Sequence, residues 1–326
     1  MNKNESFRDV CLRESRIPAD QEFFDTVTHH GREYQKYSID NGVYFCPIDE
    51  DEMDRLEAMH SVFCRVFDNR LIFPPIRNPR RILDCGFGAG NWAIDVAERY
   101  PNCEVTGIDV SPHMIPEDIP DNFDPQIDDL NGRFTFPSNH FDLVHSQMMA
   151  GGIHSNRWRS YLADIFRVTR PGGWCQMVEI YFNAQSDNGT LTNDHALRRW
   201  SRRYLRGVQP YKDPRSPLQM EAMLRSAGFV DIEARVLTLP IHALSKAREL
   251  TFTDGFVDER ERNIGLANRE NIHRLLSSMA VYPFTEFLGM SIAEVQILVA
   301  QARSEASNPA FKVRVYRQKA QEMNIA

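Results

Sequence analysis

The chain has 326 residues, 42% hydrophobic and 25% charged, with a formal net charge of −7. That apolar share excludes disorder over most of the length, and the size admits two domains or one large α/β domain with additions. No run of about 18 apolar residues predicts a membrane span, and the net negative charge argues against nucleic acid as a partner.

In chain order, residues 1–30 are charged and weakly periodic, which reads as a loosely docked leading segment. A helix is predicted from Asp49, where Glu52 three residues on makes a capping-box-like start. Met53, Leu56, His60, Phe63 and Phe67 recur every three or four residues and predict its buried face. Pro74 and Pro75 are expected to end it. From Pro79 the period changes. Residues 81–85 read as a short buried strand, 92–97 as a helix stopping near Pro101, and 103–109 as a second strand. Two more strands are predicted at 141–145 and 174–180, the latter after the turn Pro171-Gly172-Gly173. Strands alternating with helices imply right-handed βαβ units and a parallel sheet. Between the second and third strands Pro112, Pro116, Pro120 and Pro125 forbid a long helix and leave at most one turn. Helices are predicted at 195–206 and 216–227, and a strand at 230–239. A strand-free helical stretch over 241–305 and a closing strand over 311–317 complete the chain.

The segment that carries chemistry is Asp84-Cys85-Gly86-Phe87-Gly88-Ala89-Gly90, between a strand and a helix. Its glycines permit a tight turn and close approach of a ligand, and the first helical N–H groups offer donors to an anion. The spacing is G-x-G-x-G rather than the G-x-G-x-x-G of a dinucleotide site, and an acid stands two residues before the first glycine. A diphosphate gains nothing from that acid, whereas an ammonium group does. A zwitterionic amino acid therefore fits, with its ammonium towards Asp84 and its carboxylate towards the helix start, and S-adenosylmethionine carries that group. Asp109 ends the second strand, where an acid can bind both ribose hydroxyls. Asp128 and Asp129 follow the third strand, where a carboxylate can accept from an adenine amino group. The neighbours Phe87, Val110, Leu130 and Ser146 join Gly86, Gly88 and Gly90 in the expected cofactor contact. Tyr44, from the chain before the glycine loop, is expected against the methionine end. His145, at the end of the fourth strand, and His154 are the candidate general bases, with a cofactor contact as the alternative for His145.

These motifs together resemble class I S-adenosylmethionine-dependent methyltransferases. More narrowly the chain is similar to the fungal LaeA-like (UMTA) methyltransferases. The narrow resemblance rests on Gly31-Arg32-Glu33-Tyr34, Tyr44, Pro47, Asp49-Glu50, Asp54-Arg55-Leu56 and His60 before the glycine loop, and on the proline-broken segment 111–120, Ile127-Asp128-Asp129 and Asn139–His145 after it. It covers about residues 30 to 318. One position departs: that family commonly carries Arg two residues after the strand-four histidine, where this chain has Gln147. The resemblance implies a Rossmann-like α/β fold with helices on both faces of a seven-stranded, mostly parallel sheet whose last strand is antiparallel. It implies an N-terminal helical extension over 1–78 packed on the cofactor site, a cofactor-binding core over 79–240, a helical lid over 241–310 and a closing strand with tail over 311–326. It also implies methyl transfer from S-adenosylmethionine, leaving S-adenosylhomocysteine, to a small acceptor of fungal secondary metabolism. Two other readings stay open: a regulatory subunit of a nuclear complex, and a related fold catalysing a reaction other than methylation.

Other conspicuous residues have plainer readings. The arginines of 198–203 fall on the outer face of an amphipathic helix, with Trp200 and Tyr204 inward. Met148 and Met149 suit either an adaptable pocket wall or plain core. Ten histidines show no H-E-x-x-H spacing and six cysteines no C-x-x-C pair, so neither a metal nor a disulfide framework is expected. With no apolar signal segment at the start, the expected compartment is the cytoplasm, with the nucleus as alternative. The aromatic residues Phe252, Phe256, Tyr282, Phe284 and Phe287 are expected to roof an apolar acceptor pocket. A homodimer or a regulatory protein partner stays open.

Overall fold

A computed structural model describes residues 21–186, 188–241, 259–308 and 310–323. Residues 30 and 31 turn a hairpin between β1 (Thr26–His29) and β2 (Arg32–Gln35), with His30 at φ 48 and Gly31 at φ 78. Two adjacent residues at positive φ make the tight turn whose twist suits a hairpin. The leading segment is thus ordered from residue 21 and partly β, where charge and weak periodicity suggest a loose stretch. Residues 1–20 lie outside the described residues.

After a short helix α1 (Lys36–Asp40) comes α2 (Glu50–Val66), capped by Asp49, whose carboxylate accepts from the Glu52 N–H at 3.2 Å. The same carboxylate takes both arms of Arg32, at 2.6 and 2.7 Å, and so ties the hairpin to the helix start. The buried face of α2 is Glu52, Arg55, Met59, Val62, Phe63 and Val66, an apolar stripe rotated from the expected one and sharing only Phe63 with it. A buried ion pair lies on this face: Arg55 grips Glu52 at 2.7 and 2.9 Å and donates to Asn271 at 3.2 Å. The helix also stops earlier than Pro74, because Asp68 and Asn69 turn to φ 53 and 56, outside helical space.

The core alternates as predicted, with β3 (Arg81–Cys85), α3 (Asn91–Arg99), β4 (Glu104–Asp109) and β5 (Phe123–Ile127). A single turn at Pro112–Met114 replaces the helix that the prolines forbid. Then follow β6 (Phe141–Gln147), α4 (Trp158–Val168) and β7 (Thr169–Ser186). Helix α4 has its own periodic signal in Trp158, Tyr161, Leu162, Ile165 and Val168, a helix absent from the expectation above. Strand β7 is also longer than expected and runs through Pro171-Gly172-Gly173 with one register shift. After α5 (Ala196–Val208) and α6 (Ser216–Ala227) the chain forms β8 (Val230–Pro240) and later β9 (Phe311–Gln321). Between these two strands lie α7 (Glu259–Ser278) and α8 (Ile292–Glu305), joined through a π-turn at Pro283–Phe287.

The main sheet has seven strands in the order β5-β4-β3-β6-β7-β9-β8; β9 runs antiparallel to both β7 and β8. Its other neighbours are parallel. Alternation along β3 divides the core: Leu83 and Cys85 pack with α4 and α6, Ile82 with α3. Helices α2, α5, α7 and α8 bury a third cluster against β7 and β9. Helical order replaces a strand throughout the described part of the insertion, as expected. No helix among the described residues is long and apolar enough to cross a membrane.

The Glu52–Arg55 pair sits between the extension and α7, and removing one partner strands the other charge in the core. Glu52→Ala should destabilise the protein by about 3–5 kcal/mol in urea unfolding. A loss below 1 kcal/mol would show the pair to be replaceable by solvent.

Candidate active site

Parallel register places Asp84 of β3 level with His145 of β6, and His145 level with Gln176 of β7. This row lies towards the carboxyl ends of the strands, where open α/β sheets bind ligands. The glycine loop follows. Gly86 and Phe87 donate their N–H groups to the Ile108 carbonyl, at 2.7 and 3.3 Å, and Gly90 precedes α3. Gly86 is at φ +76, in the left-handed region that favours glycine, and a Cβ there would also displace the flexible end of Met149. The Asp109 carboxylate accepts from the Gly88 N–H at 2.8 Å and from the Ser111 N–H at 2.9 Å, pinning the loop to the end of β4.

Two adjoining cavities open over this loop. The outer one, about 110 Å³, is lined by Asp109, Val110, Asp128, Asp129, Leu130 and Met149. The inner one, about 130 Å³, is lined by Asp84, Phe87, Trp92, His145, Glu179, Tyr204 and Lys212. Tyr44, Leu56, Gly86, Gly88, Gln147 and Met148 border both. Of the residues expected to hold the cofactor, only Gly90 and Ser146 border neither cavity. Gly90 donates to the Phe87 carbonyl and caps α3, and the Ser146 hydroxyl faces the Tyr161 hydroxyl at 2.9 Å behind the sheet. Both support the site from beneath.

The electrostatics are those of a dry cleft. Asp84 is 3% exposed and makes no hydrogen bond or ion pair among the described residues. Burial, with the Asp109 charge, pushes its carboxyl up from 3.8 to about 8. A buried acid without a cation fits the ammonium of an amino-acid ligand, which would restore the charged form. Asp109 and Asp128 are also raised by burial, less so because backbone N–H groups hold their carboxylates. Asp129 instead accepts from Asn131 and Tyr37, which shapes the outer wall.

Each candidate histidine is held by a hydrogen bond on one ring nitrogen. Gln176 donates to His145 Nδ1 at 3.0 Å, and the Phe73 N–H donates to Gln176 Oε1, which sets the amide orientation. His145 therefore carries its proton on Nε2, and that buried nitrogen has no partner among the described residues. Burial holds its pKa down to about 3, and its ring stacks on Trp92 at 3.7 Å. It is a neutral donor facing the cavity. His154 borders neither cavity; its Nε2 donates to the Gly42 carbonyl at 3.1 Å and fastens the extension.

Two residues that the sequence reading passes over stand in the inner cavity instead. Glu179 is fully buried on β7 and accepts from the Met149 and Ala150 N–H groups at 2.8 and 3.2 Å. Burial lifts its carboxyl to about 8. A lone acid inside the apolar run Met177-Val178-Glu179-Ile180 is a signal that could have found it. Lys212 donates to the Val43 and Gly152 carbonyls at 2.7 and 2.8 Å, and burial lowers it to about 7. It follows a helix in a plain loop and leaves no pattern. From the insertion, Met279 and Pro283 reach the inner cavity. Tyr282 and Phe287 pack on Phe45, and Phe284 on Trp200, so these three do not roof it as expected. Phe252 and Phe256 lie outside the described residues.

Asp84 carries a linkage. Its folded pKa stands above the unfolded value, so the folded protein binds the extra proton, and ligand-free stability falls as pH rises from about 4 to about 8. An ammonium ligand expels that proton. S-adenosylhomocysteine should therefore bind more tightly as pH rises towards 8, by up to about tenfold per unit. Calorimetry in buffers of different ionisation enthalpy should show proton release that vanishes in Asp84→Asn. Equal release in the variant would remove Asp84 from the ligand's ammonium. Gly86→Ala should weaken the same ligand by at least about tenfold, since it adds backbone strain to the clash with Met149. Unchanged affinity, again by calorimetry, would show that the loop adapts.

Residues 82–173 match a family model described as a methyltransferase domain. The chain is 32% identical over 299 residues to the secondary metabolism regulator laeA of Monascus pilosus, covering 90% of this chain and 77% of that protein. It is 30% identical over 284 residues to the protein-methionine methyltransferase laeA of Emericella nidulans, covering 86% and 71%. Among solved structures, Haemonchus contortus phosphoethanolamine N-methyltransferase 2 with S-adenosyl-L-methionine aligns at a TM-score of 0.49 and 20% identity, over 81% of this chain and 52% of that one. The chain belongs to the LaeA family and carries a methyltransferase domain.

Proposed function

We propose that this methyltransferase acts on a small acceptor with an apolar body, in the service of secondary metabolism. The observation that carries the reading is the inner cavity. It continues from the cofactor-facing cavity past Gly86, Gly88 and Gln147, and Ile180, Phe182, Val208, Met279 and Pro283 give it an apolar wall. A cavity of that kind holds a small molecule by burying apolar surface while a few polar groups orient it.

In this reading Asp84 takes the ammonium of the cofactor, the loop N–H groups lie near its carboxylate, and Asp109 holds the ribose. Asp128 meets the adenine amino group. His145 offers its Nε2–H to an acceptor atom inside the cleft. When bound, the cofactor supplies an electrophilic methyl on a sulfonium, and in-line displacement there needs no enzyme nucleophile. The protein positions the partners and keeps water out. Glu179 replaces the histidines as the base for an oxygen or nitrogen acceptor: burial raises its carboxyl to about 8, so its ionised form is a stronger base than an ordinary carboxylate and becomes more populated as pH rises towards 8. Tyr44 and Lys212 close the cleft from the extension side, Lys212 by holding Val43 and Gly152 together.

A second reading, transfer to a protein methionine within a regulatory complex, draws on the name of the Emericella nidulans relative and on one observation. Met59 and Met279 border the inner cavity, Met149 the outer one and Met148 both. A thioether acceptor needs no base. Its place of work would be the nucleus, that of the enzyme reading the cytoplasm.

The protein, methyl-labelled cofactor and a fungal metabolite extract should yield label in an extracted small molecule, seen by mass spectrometry. Glu179→Gln should lower that yield by about 100-fold or more while leaving cofactor affinity within a few-fold. Label confined to protein, unaffected by Glu179→Gln, would favour the methionine reading and reject the small acceptor.

A further inference from the structure

Helices α2 and α3 face each other beside the inner cavity, and each offers metal-ligating side chains there. His60 and Cys64 are four residues apart on α2, so they share one face. Asp95 of α3 reaches the same point. His60 Nε2 lies 2.8 Å from Asp95 Oδ2 and 3.5 Å from Cys64 Sγ, and the three ligand atoms all fall within 4.8 Å of one another. We infer that His60, Cys64 and Asp95 form a binding site for one zinc-type divalent cation, with three protein ligands and one open position.

The donor set is the argument. One imidazole, one thiolate and one carboxylate suit a borderline-soft cation such as zinc, whereas calcium and magnesium take oxygen shells. Tetrahedral zinc sets its nitrogen and sulfur ligands about 3.5 Å apart and its nitrogen and oxygen ligands about 3.4 Å apart. The observed 3.5 Å between Nε2 and Sγ already matches. The carboxylate must withdraw by about half an ångström, and Asp95, 44% exposed at its side chain, is free to do so. That exposure is also the entry path. Cys64 loses its thiol proton to solvent as the cation binds, and His60 coordinates as the neutral imidazole. Histidine and cysteine spacing in the sequence hides the set, because its third ligand stands on a different helix.

Bound there, a cation staples the extension's long helix to the helix that begins at the glycine loop. His60 also borders the inner cavity, so the staple firms one wall of the cleft. The inference goes beyond the proposed reaction and does not depend on it.

The test uses the full chain without an affinity tag, stripped by chelator. Calorimetric titration with zinc should give one site per chain with micromolar affinity or better. Cobalt should produce a thiolate charge-transfer band in the near ultraviolet. Cys64→Ser should lose that band, and Asp95→Asn should weaken zinc by about tenfold or more. Both variants should still bind S-adenosylhomocysteine, which shows that they are folded and separates this site from the cofactor reading. Absence of zinc binding in the stripped protein, or binding and band unchanged in both variants, would overturn the inference and leave a histidine–aspartate hydrogen bond.

Discussion

The roof of the cleft depends on one buried ion pair. Glu52 is completely inaccessible, and Arg55 spans from it to Asn271, so α2 and α7 are joined across a stretch of core where two charges have left water. Desolvating both is costly, and only the two-armed geometry with a third polar partner offsets it. The rotation of α2 that buries the pair together with Met59, Val62, Phe63 and Val66 places Leu56, Met59 and His60 towards the glycine loop and leaves Asp54 on the outside, where it meets Arg274. Extension and insertion thereby come to lie over the same end of the sheet.

The chemistry of the site follows from that cover. Asp84, Glu179, His145 and Lys212 would all titrate near ordinary values on an open sheet edge. Under the roof, the acids are lifted to about 8, the lysine is lowered to about 7 and the histidine to about 3. All four shifts favour the neutral form. One cause, loss of water, accounts for the largest part of each. The cleft thus holds few net charges of its own and gains most from a ligand that brings both signs, as a zwitterion does. Backbone N–H groups oppose the trend at Asp109 and Glu179, each of which accepts two of them. Those bonds rigidify the loops at the ends of β4 and β6.

Where side chains compete for a role, hydrogen bonding decides it more than residue type. His145 stands at the strand end where a base is chemically natural, yet Gln176 occupies its accepting nitrogen. His154 is spent on the Gly42 carbonyl and Lys212 on two carbonyls of separate segments. Asp129, adjacent to Asp128 and of the same type, is bound up in a local turn with Asn131. Glu179 alone among these keeps a carboxyl in the inner cavity with only backbone donors against it. The division of labour between neighbouring identical residues is a matter of partners.

Local sequence was enough for most elements of the core and for the glycine loop. The strand at 81–85, the glycines at 86, 88 and 90, the acid at 109 and the proline-broken connection encode backbone conformations within a few residues of themselves. The hairpin at 26–35 and helix α4 left local signals too, a two-residue turn and an apolar period, but the sequence reading passed over both. Tertiary structure alone decided the rest. Which face of α2 is buried, that Glu179 and Lys212 enter the inner cavity, that the insertion sends Met279 and Pro283 rather than its aromatic residues, and that His60, Cys64 and Asp95 meet, all depend on contacts between distant segments. Periodicity reports that a helix has an apolar face, but whether charged residues such as Glu52 and Arg55 join that face depends on the partner another helix supplies. Burial, and with it every shifted pKa in the cleft, belongs to the assembled layers and to no single stretch of chain.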